Sequence, residues 1–171
     1  EKSGTVLWIG SGGHHWGCVR VADTLRHEAQ EMCQTLRDMR LELVMLTGDA
    51  VSAAEAVGRA VGISMLEAAL KPEDKTKFVK DCRGKGRRVA MVGDGINDML
   101  ALKEADVGIA MGAAGRPAVL ENASIVLMDS DLRKLVLAFK LARQVLWTIR
   151  FNISFAILSK LAMVTFTLMG Y

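Results

Sequence analysis

Only two prolines and one tyrosine occur in 171 residues, and aromatic residues make up 5% of the chain. The three cysteines, Cys18, Cys33 and Cys82, have no CxxC or zinc-type spacing. A disulfide scaffold and a cysteine-based zinc site are thereby excluded, and the thiols read as reduced residues of a cytosolic domain. Acidic residues are absent from Leu132 onward, where six cations stand: Arg133, Lys134, Lys140, Arg143, Arg150 and Lys160. Because the whole chain carries +3, the first 131 residues carry −3. Few aromatics, and basic residues that precede an apolar run, exclude a nucleic-acid footprint. They describe instead the positive, cytoplasm-facing flank of a membrane anchor. No internal repeat and no low-complexity linker interrupts the chain. With 51% apolar residues it has material for one core.

The richest stretch is Val89–Asp98, VAMVGDGIND. Val89–Val92 form a short buried strand, Gly93 permits a tight turn, and Asp94 emerges at the strand's carboxyl end, where open α/β sheets carry their chemistry. Asn97 and Asp98 follow on the first turn of the next helix. Two carboxylates and an amide at one point suit Mg²⁺ and a phosphoryl group. Two companions lie upstream. Thr47-Gly48-Asp49 follows the strand Leu43–Leu46 and offers a hydroxyl and backbone N–H groups to phosphate oxygens. Lys75, in KPEDK, supplies a fixed positive charge where a helix begins after Pro72. Each motif alone could be an ordinary loop; the ordered set makes a phosphoryl-transfer site.

Helices and strands alternate around these motifs. Strands are expected at Val6–Ile9 and Cys18–Val21, joined by the Gly-rich SGGHHWG. Then come helix Glu28–Arg40, strand Leu43–Leu46, helix Ser52–Val61, helix Asp74–Lys85, strand Val89–Val92, helix Asn97–Glu104, and strands Val107–Ala110 and Ile125–Val126. Such alternation implies a mainly parallel sheet with helices on both faces. His14, His15 and Cys18 sit in the Gly-rich connection without a fourth ligand, which favours a plain surface hairpin over a metal site.

From Leu132 an apolar stripe recurs at helical spacing through Ile149, with Asp129, Ser130 and Asp131 as caps. Beyond Arg150 the pattern is apolar all round. Phe151–Tyr171 would span about 30 Å as a helix, one hydrocarbon core. A buried helix of a larger soluble domain is the alternative. Lys160 lies near the middle of the span, where a cation costs at least about 3 kcal/mol. It faces a partner carboxylate or a transport path, or it snorkels.

The motif set resembles the phosphorylation domain of P-type ATPases, a branch of the haloacid dehalogenase-like fold. The resemblance covers nearly the whole chain: ADTLRHEA (Ala22–Ala29) is similar to the family's hinge, with His27 where proline is commoner. ADVGIAMG (Ala105–Gly112) and IVLMDSDL (Ile125–Leu132) are also family-like. The heavy-metal branch fits best, on the hinge and on the preceding GTVLWIG. This resemblance implies an α/β, Rossmannoid parallel sheet followed by a stalk helix entering the membrane. It implies four parts: residues 1–22, the end of a nucleotide-binding domain with hinge strands; 23–131, the phosphorylation domain; 132–150, the stalk; 151–171, a transmembrane helix. It also implies ATP as substrate, Mg²⁺ held by Asp94 and Asp98, and Asp23 and Arg26 at the nucleotide. Thr47, Gly48, Asp49, Lys75, Asn97 and Asp98 would surround the phosphoryl group. A lysine such as Lys160 is characteristic of zinc/cadmium-type members, whereas copper-type members tend to show Tyr-Asn in that helix. The implied location is a membrane, with residues 1–150 on its cytoplasmic side.

The family's phosphorylated aspartate lies in a DKTGT motif, which is absent. EKSGT (Glu1–Thr5) stands only about 40 residues before Thr47, whereas in the family a whole nucleotide-binding domain intervenes. Glutamate is also one methylene too long for a nucleophile held to about 1 Å. The CPC motif of the metal-site helix and the His-Pro pair of the nucleotide domain are missing too. The expectation is a fragment, inactive alone, whose missing remainder would supply the central strand of the sheet; without it the sheet has a gap or an unnatural edge. A soluble haloacid dehalogenase-like phosphatase and a non-enzymatic nucleotide- or Mg²⁺-binding module remain open alternatives.

Overall fold

The computed structural model describes residues 5–21, 24–94, 97–112 and 121–170. The first four residues of EKSGT therefore lie outside it, as does Asp23. The chain forms two compact units, Glu1–Leu132 and Arg133–Tyr171.

In the first unit, β1 (Thr5–Ser11) and β2 (His14–Val21) pair antiparallel, turning at Gly12-Gly13. The connection is thus shorter than the sequence suggests, because His14 and His15 belong to β2. Trp8 and Trp16 are largely exposed on this hairpin, and Trp8 meets the His15 ring edge-on at 6.2 Å.

Helices and parallel strands follow in alternation: α1 (Ala29–Asp38), β3 (Val44–Leu46), α2 (Val51–Val61), β4 (Met65–Glu67), α3 (Pro72–Gly84), β5 (Ala90–Gly93), α4 (Met99–Glu104), β6 (Val107–Met111) and β7 (Ile125–Leu127). The parallel sheet comes in two pieces, β3–β4 and β5–β6–β7. Among the described residues no ladder joins β3 to β5. The two pieces nonetheless share a core. Val79, Met91, Ala101, Leu102 and Ala110 are buried together, and Leu46 of β3 packs against them.

A second cluster gathers Ala29 and Cys33 from α1 with Val61 from α2. On α1 the buried residues Ala29, Cys33 and Leu36 recur every three to four positions, the stripe of an amphipathic helix. Burial there pushes the Cys33 thiol above its ordinary pKa. Arg37 of α1 donates to the carbonyl of Gly62 at 2.6 Å, placing a cation at the C-terminus of α2. At the start of β5, the Asp106 carboxylate accepts the Val89 N–H at 2.8 Å and faces Arg83 and Arg88. The backbone bond first, and then the two guanidinium groups, hold Asp106 below the usual carboxylate range.

The second unit is the long helix α5, which begins at the junction and runs Leu132–Leu168. It is long and apolar enough to cross a membrane. Trp147, Phe151 and Phe155 stack one turn apart along it, with ring centroids 5.5 and 6.4 Å apart.

Candidate functional site

The carboxyl ends of β3 and β5 carry the residues that the sequence singles out. β5 ends at Gly93, Asp94 follows in an exposed position, and Asn97 is likewise exposed. Asp98 is not on the first turn of α4, as its spacing suggests, but at the N-cap, its carbonyl accepting the Leu102 N–H at 2.8 Å. That position turns its side chain inward. Asp98 is the one buried charged residue among those described, and the Lys75 Nζ reaches its Oδ1 at 2.8 Å.

Lys75 is aimed by the start of α3. Pro72 fills the first helical position, where no N–H is needed, and the Asp74 carboxylate accepts the Lys71 N–H at 2.9 Å. Lys75 then lies one turn inside the helix. Its side chain is 15% exposed and that of Asp98 is 12% exposed, so the pair is held away from bulk water.

Gly93 makes this possible. A Cβ at that position would lie 2.7 Å from Asp98 Oδ2 and 2.8 Å from Asp98 Cβ. Replacing Gly93 by alanine is therefore expected to push Asp98 off Lys75 and to cost about 1–3 kcal/mol, the usual range for overpacking. A thermal melt followed by circular dichroism checks this. An unchanged midpoint would mean that Asp98 has room to move.

At the end of β3, Thr47 is fixed by its backbone, the N–H donating to Glu67 O at 3.0 Å and the carbonyl accepting from Leu70. Its Oγ1 donates to Asp49 Oδ2 at 2.8 Å and accepts the Asp49 N–H at 3.1 Å. Gly48 passes close to the Leu70 carbonyl, where a Cβ would stand 3.3 Å away. Thr47, Gly48 and Asp49 thus form one small hydrogen-bonded turn that presents a hydroxyl and a carboxylate.

The donor set suits Mg²⁺ bound with phosphate. That ion usually takes one or two carboxylates and leaves its other positions to water and phosphoryl oxygens. Among the described residues no three His, Cys, Asp or Glu side chains cluster to cage a metal. Asp98 was expected both to hold the metal and to orient its neighbours. Its Oδ1 is on Lys75. Arg26, expected at the nucleotide, donates to the carbonyl of Ser130. The ion pair was not foreseen as a pair, although both of its members were named.

Comparison with known proteins agrees with this geometry. The family model for haloacid dehalogenase-like hydrolases matches residues 1–106. A cadmium-transporting ATPase of Staphylococcus aureus is 39% identical over 168 residues, covering 98% of this chain and 23% of the relative. A copper-transporting ATPase, HMA5, of Oryza sativa subsp. japonica is 41% identical over 157 residues, covering 92% of this chain and 16% of its own. The crystal structure of a zinc-transporting PIB-type ATPase in its E2.Pi state superposes with a TM-score of 0.83 at 38% identity, covering 98% of this chain and 27% of that one. The chain thus spans under a quarter of the length of the curated relatives it matches. Its parallel strands, the place of Asp94 directly after β5 and its likeness to these pumps agree: the chain belongs to the haloacid dehalogenase-like hydrolase family, and its relatives within that family are the heavy-metal P-type ATPases.

Proposed function

We propose that this chain is the phosphoryl-handling part, and the following membrane helix, of an ATP-driven exporter of divalent heavy-metal ions. Zn²⁺ or Cd²⁺ is the cargo. The observation that carries this reading is the shielded Lys75–Asp98 pair, at the strand ends beside Asp94, in a chain whose next element is a long apolar helix.

In this reading Asp94 holds Mg²⁺, with Asp98 behind it. When bound, the ion neutralises charge on the phosphoryl oxygens. Lys75 and Thr47 offer a cation and a hydroxyl to the same oxygens, and Asn97 adds an amide donor. Asp98 keeps Lys75 aimed, since an ammonium has three donors and can serve a carboxylate and a phosphate together. Gly48 and Asp49 shape the turn that fixes Thr47. The phosphorylated carboxylate comes from a strand outside this chain, and the gap between β3 and β5 is where such a strand fits. Asp23 stands beside the nucleotide.

Residues 1–22 then close the nucleotide-binding domain, 23–131 form the phosphorylation domain, 132–150 the stalk and 151–171 the membrane helix. Residues 1–150 lie on the cytoplasmic side, because the cations of α5 precede its apolar half.

Lys160 supports Zn²⁺ or Cd²⁺ over copper as cargo. A cation at mid-membrane depth is expensive unless it faces a carboxylate or a polar path. The complete pump, reconstituted in liposomes, is expected to hydrolyse ATP faster with Zn²⁺ or Cd²⁺ and not with Cu⁺. Stimulation by Cu⁺ alone would overturn the cargo, and stimulation by no metal would overturn transport. Lys160→Ala should leave the helix inserted, since loss of the charge eases insertion, and should lower Zn²⁺-stimulated turnover. Lys160→Arg should retain part of it. Wild-type transport by the alanine variant would show that Lys160 snorkels.

A further inference from the structure

The few residues ahead of α5 are held from two sides. Gly112, at the end of β6, donates its N–H to the carbonyls of Leu127 at 3.0 Å and Asp129 at 3.2 Å. Its φ is +63°, a conformation that favours glycine, and a Cβ there would lie 2.6 Å from Ser130 Oγ and push that hydroxyl aside. From the other side the Arg26 guanidinium donates to the Ser130 carbonyl, across 104 positions of chain. Arg26 stands just before α1, and its own carbonyl accepts the Ala29 N–H at 3.0 Å. One step on, Leu132, the first residue of α5, packs against the cluster of Ala29, Cys33 and Val61.

We propose that Arg26 is a positioning residue that locks the root of α5 to the root of α1. A displacement of Arg26 is then felt at Ser130 and Leu132, where α5 begins. The Ser130 carbonyl precedes the helix and has no intrahelical donor of its own. A guanidinium supplies a charge-assisted bond, about twice as strong as a neutral one. Leu132 adds an apolar contact to the same junction. The bond to Ser130 uses Nη1, one of three nitrogens on a side chain with five N–H donors.

The lock rests on the transport reading for its consequence and stands apart from it for its structure, so two measurements separate them. By hydrogen exchange on the complete pump, Arg26→Ala should speed exchange of the amides at 131–134 by about tenfold and leave those of α3 unchanged. By steady-state kinetics, the same variant should keep its KM for ATP within about twofold while metal-stimulated kcat falls by about tenfold. Arg26→Lys should recover part of both, because an ammonium on a flexible stem still reaches a carbonyl; it also serves where the alanine variant does not fold.

Unchanged exchange at 131–134 overturns the lock, whether or not the protein pumps. Faster exchange with undiminished turnover overturns the coupling. A KM for ATP raised by tenfold or more makes Arg26 a nucleotide ligand and overturns the proposal. If no metal stimulates turnover, the transport reading fails while the exchange result still decides the lock.

Discussion

Exchange of Asp94 for asparagine, in the complete exporter proposed for this chain, is expected to lower ATP-dependent phosphoenzyme by about 100-fold or more. The fold should survive. Asp94 is exposed at the end of β5, and asparagine has its shape, so no buried contact is lost. What changes is charge: Mg²⁺ is a hard cation that relies on few carboxylates, and a neutral amide oxygen replaces an anionic one. Losing one well-placed electrostatic partner of a developing phosphoryl charge costs about 10²–10³ in rate. Acid-quenched labelling with radioactive ATP at several Mg²⁺ concentrations is the measurement. Partial recovery at high Mg²⁺ would assign the loss to metal affinity. Near-normal labelling at low Mg²⁺ would remove Asp94 from the metal site.

That this residue could be named from sequence follows from where it sits. Val89–Val92 are apolar without interruption, Gly93 breaks the run, and a carboxylate follows at once, all within local reach of the chain. β3 and β6 were legible for the same reason. β4 was not: Met65–Glu67 is three residues long, half-exposed, and becomes a strand only by pairing with β3 from Val44↔Met65 onward. For the sheet the expectation was a gap or an unnatural edge, and the strands pair as β3–β4 and β5–β6–β7. The Lys75–Asp98 pair and the Arg26–Ser130 bond were not, since they join residues 23 and 104 positions apart. No periodicity encodes such contacts, which exist only once α3, α4 and α5 begin where they do. Asp98 shows the difference most clearly. Expected at the second position of a helix from Asn97, it stands at the N-cap of α4, buried against Lys75.

Removal of Lys75 should accordingly do more than weaken the phosphate binding proposed for it. Lys75→Met keeps the volume and deletes the charge, leaving the Asp98 carboxylate buried against Gly93 with no cation. Breaking a buried pair on one side costs about 3–5 kcal/mol, a large part of the about 5–15 kcal/mol that holds a domain together. Exposed pairs are worth only about 0–1 kcal/mol, and the ion pairs of Lys80 and Arg87 elsewhere in this unit are of that kind. Urea unfolding followed by circular dichroism distinguishes the two cases. Tryptophan emission would not serve, because Trp8, Trp16 and Trp147 all lie outside the core. Adding Asp98→Asn to Lys75→Met should recover much of the loss, since the stranded charge disappears along with its partner. A Lys75→Met cost below about 1 kcal/mol would mean that water already reaches the pair. Lys75 would then be held by the solvent as much as by Asp98, and its aim at the phosphoryl site would need another source.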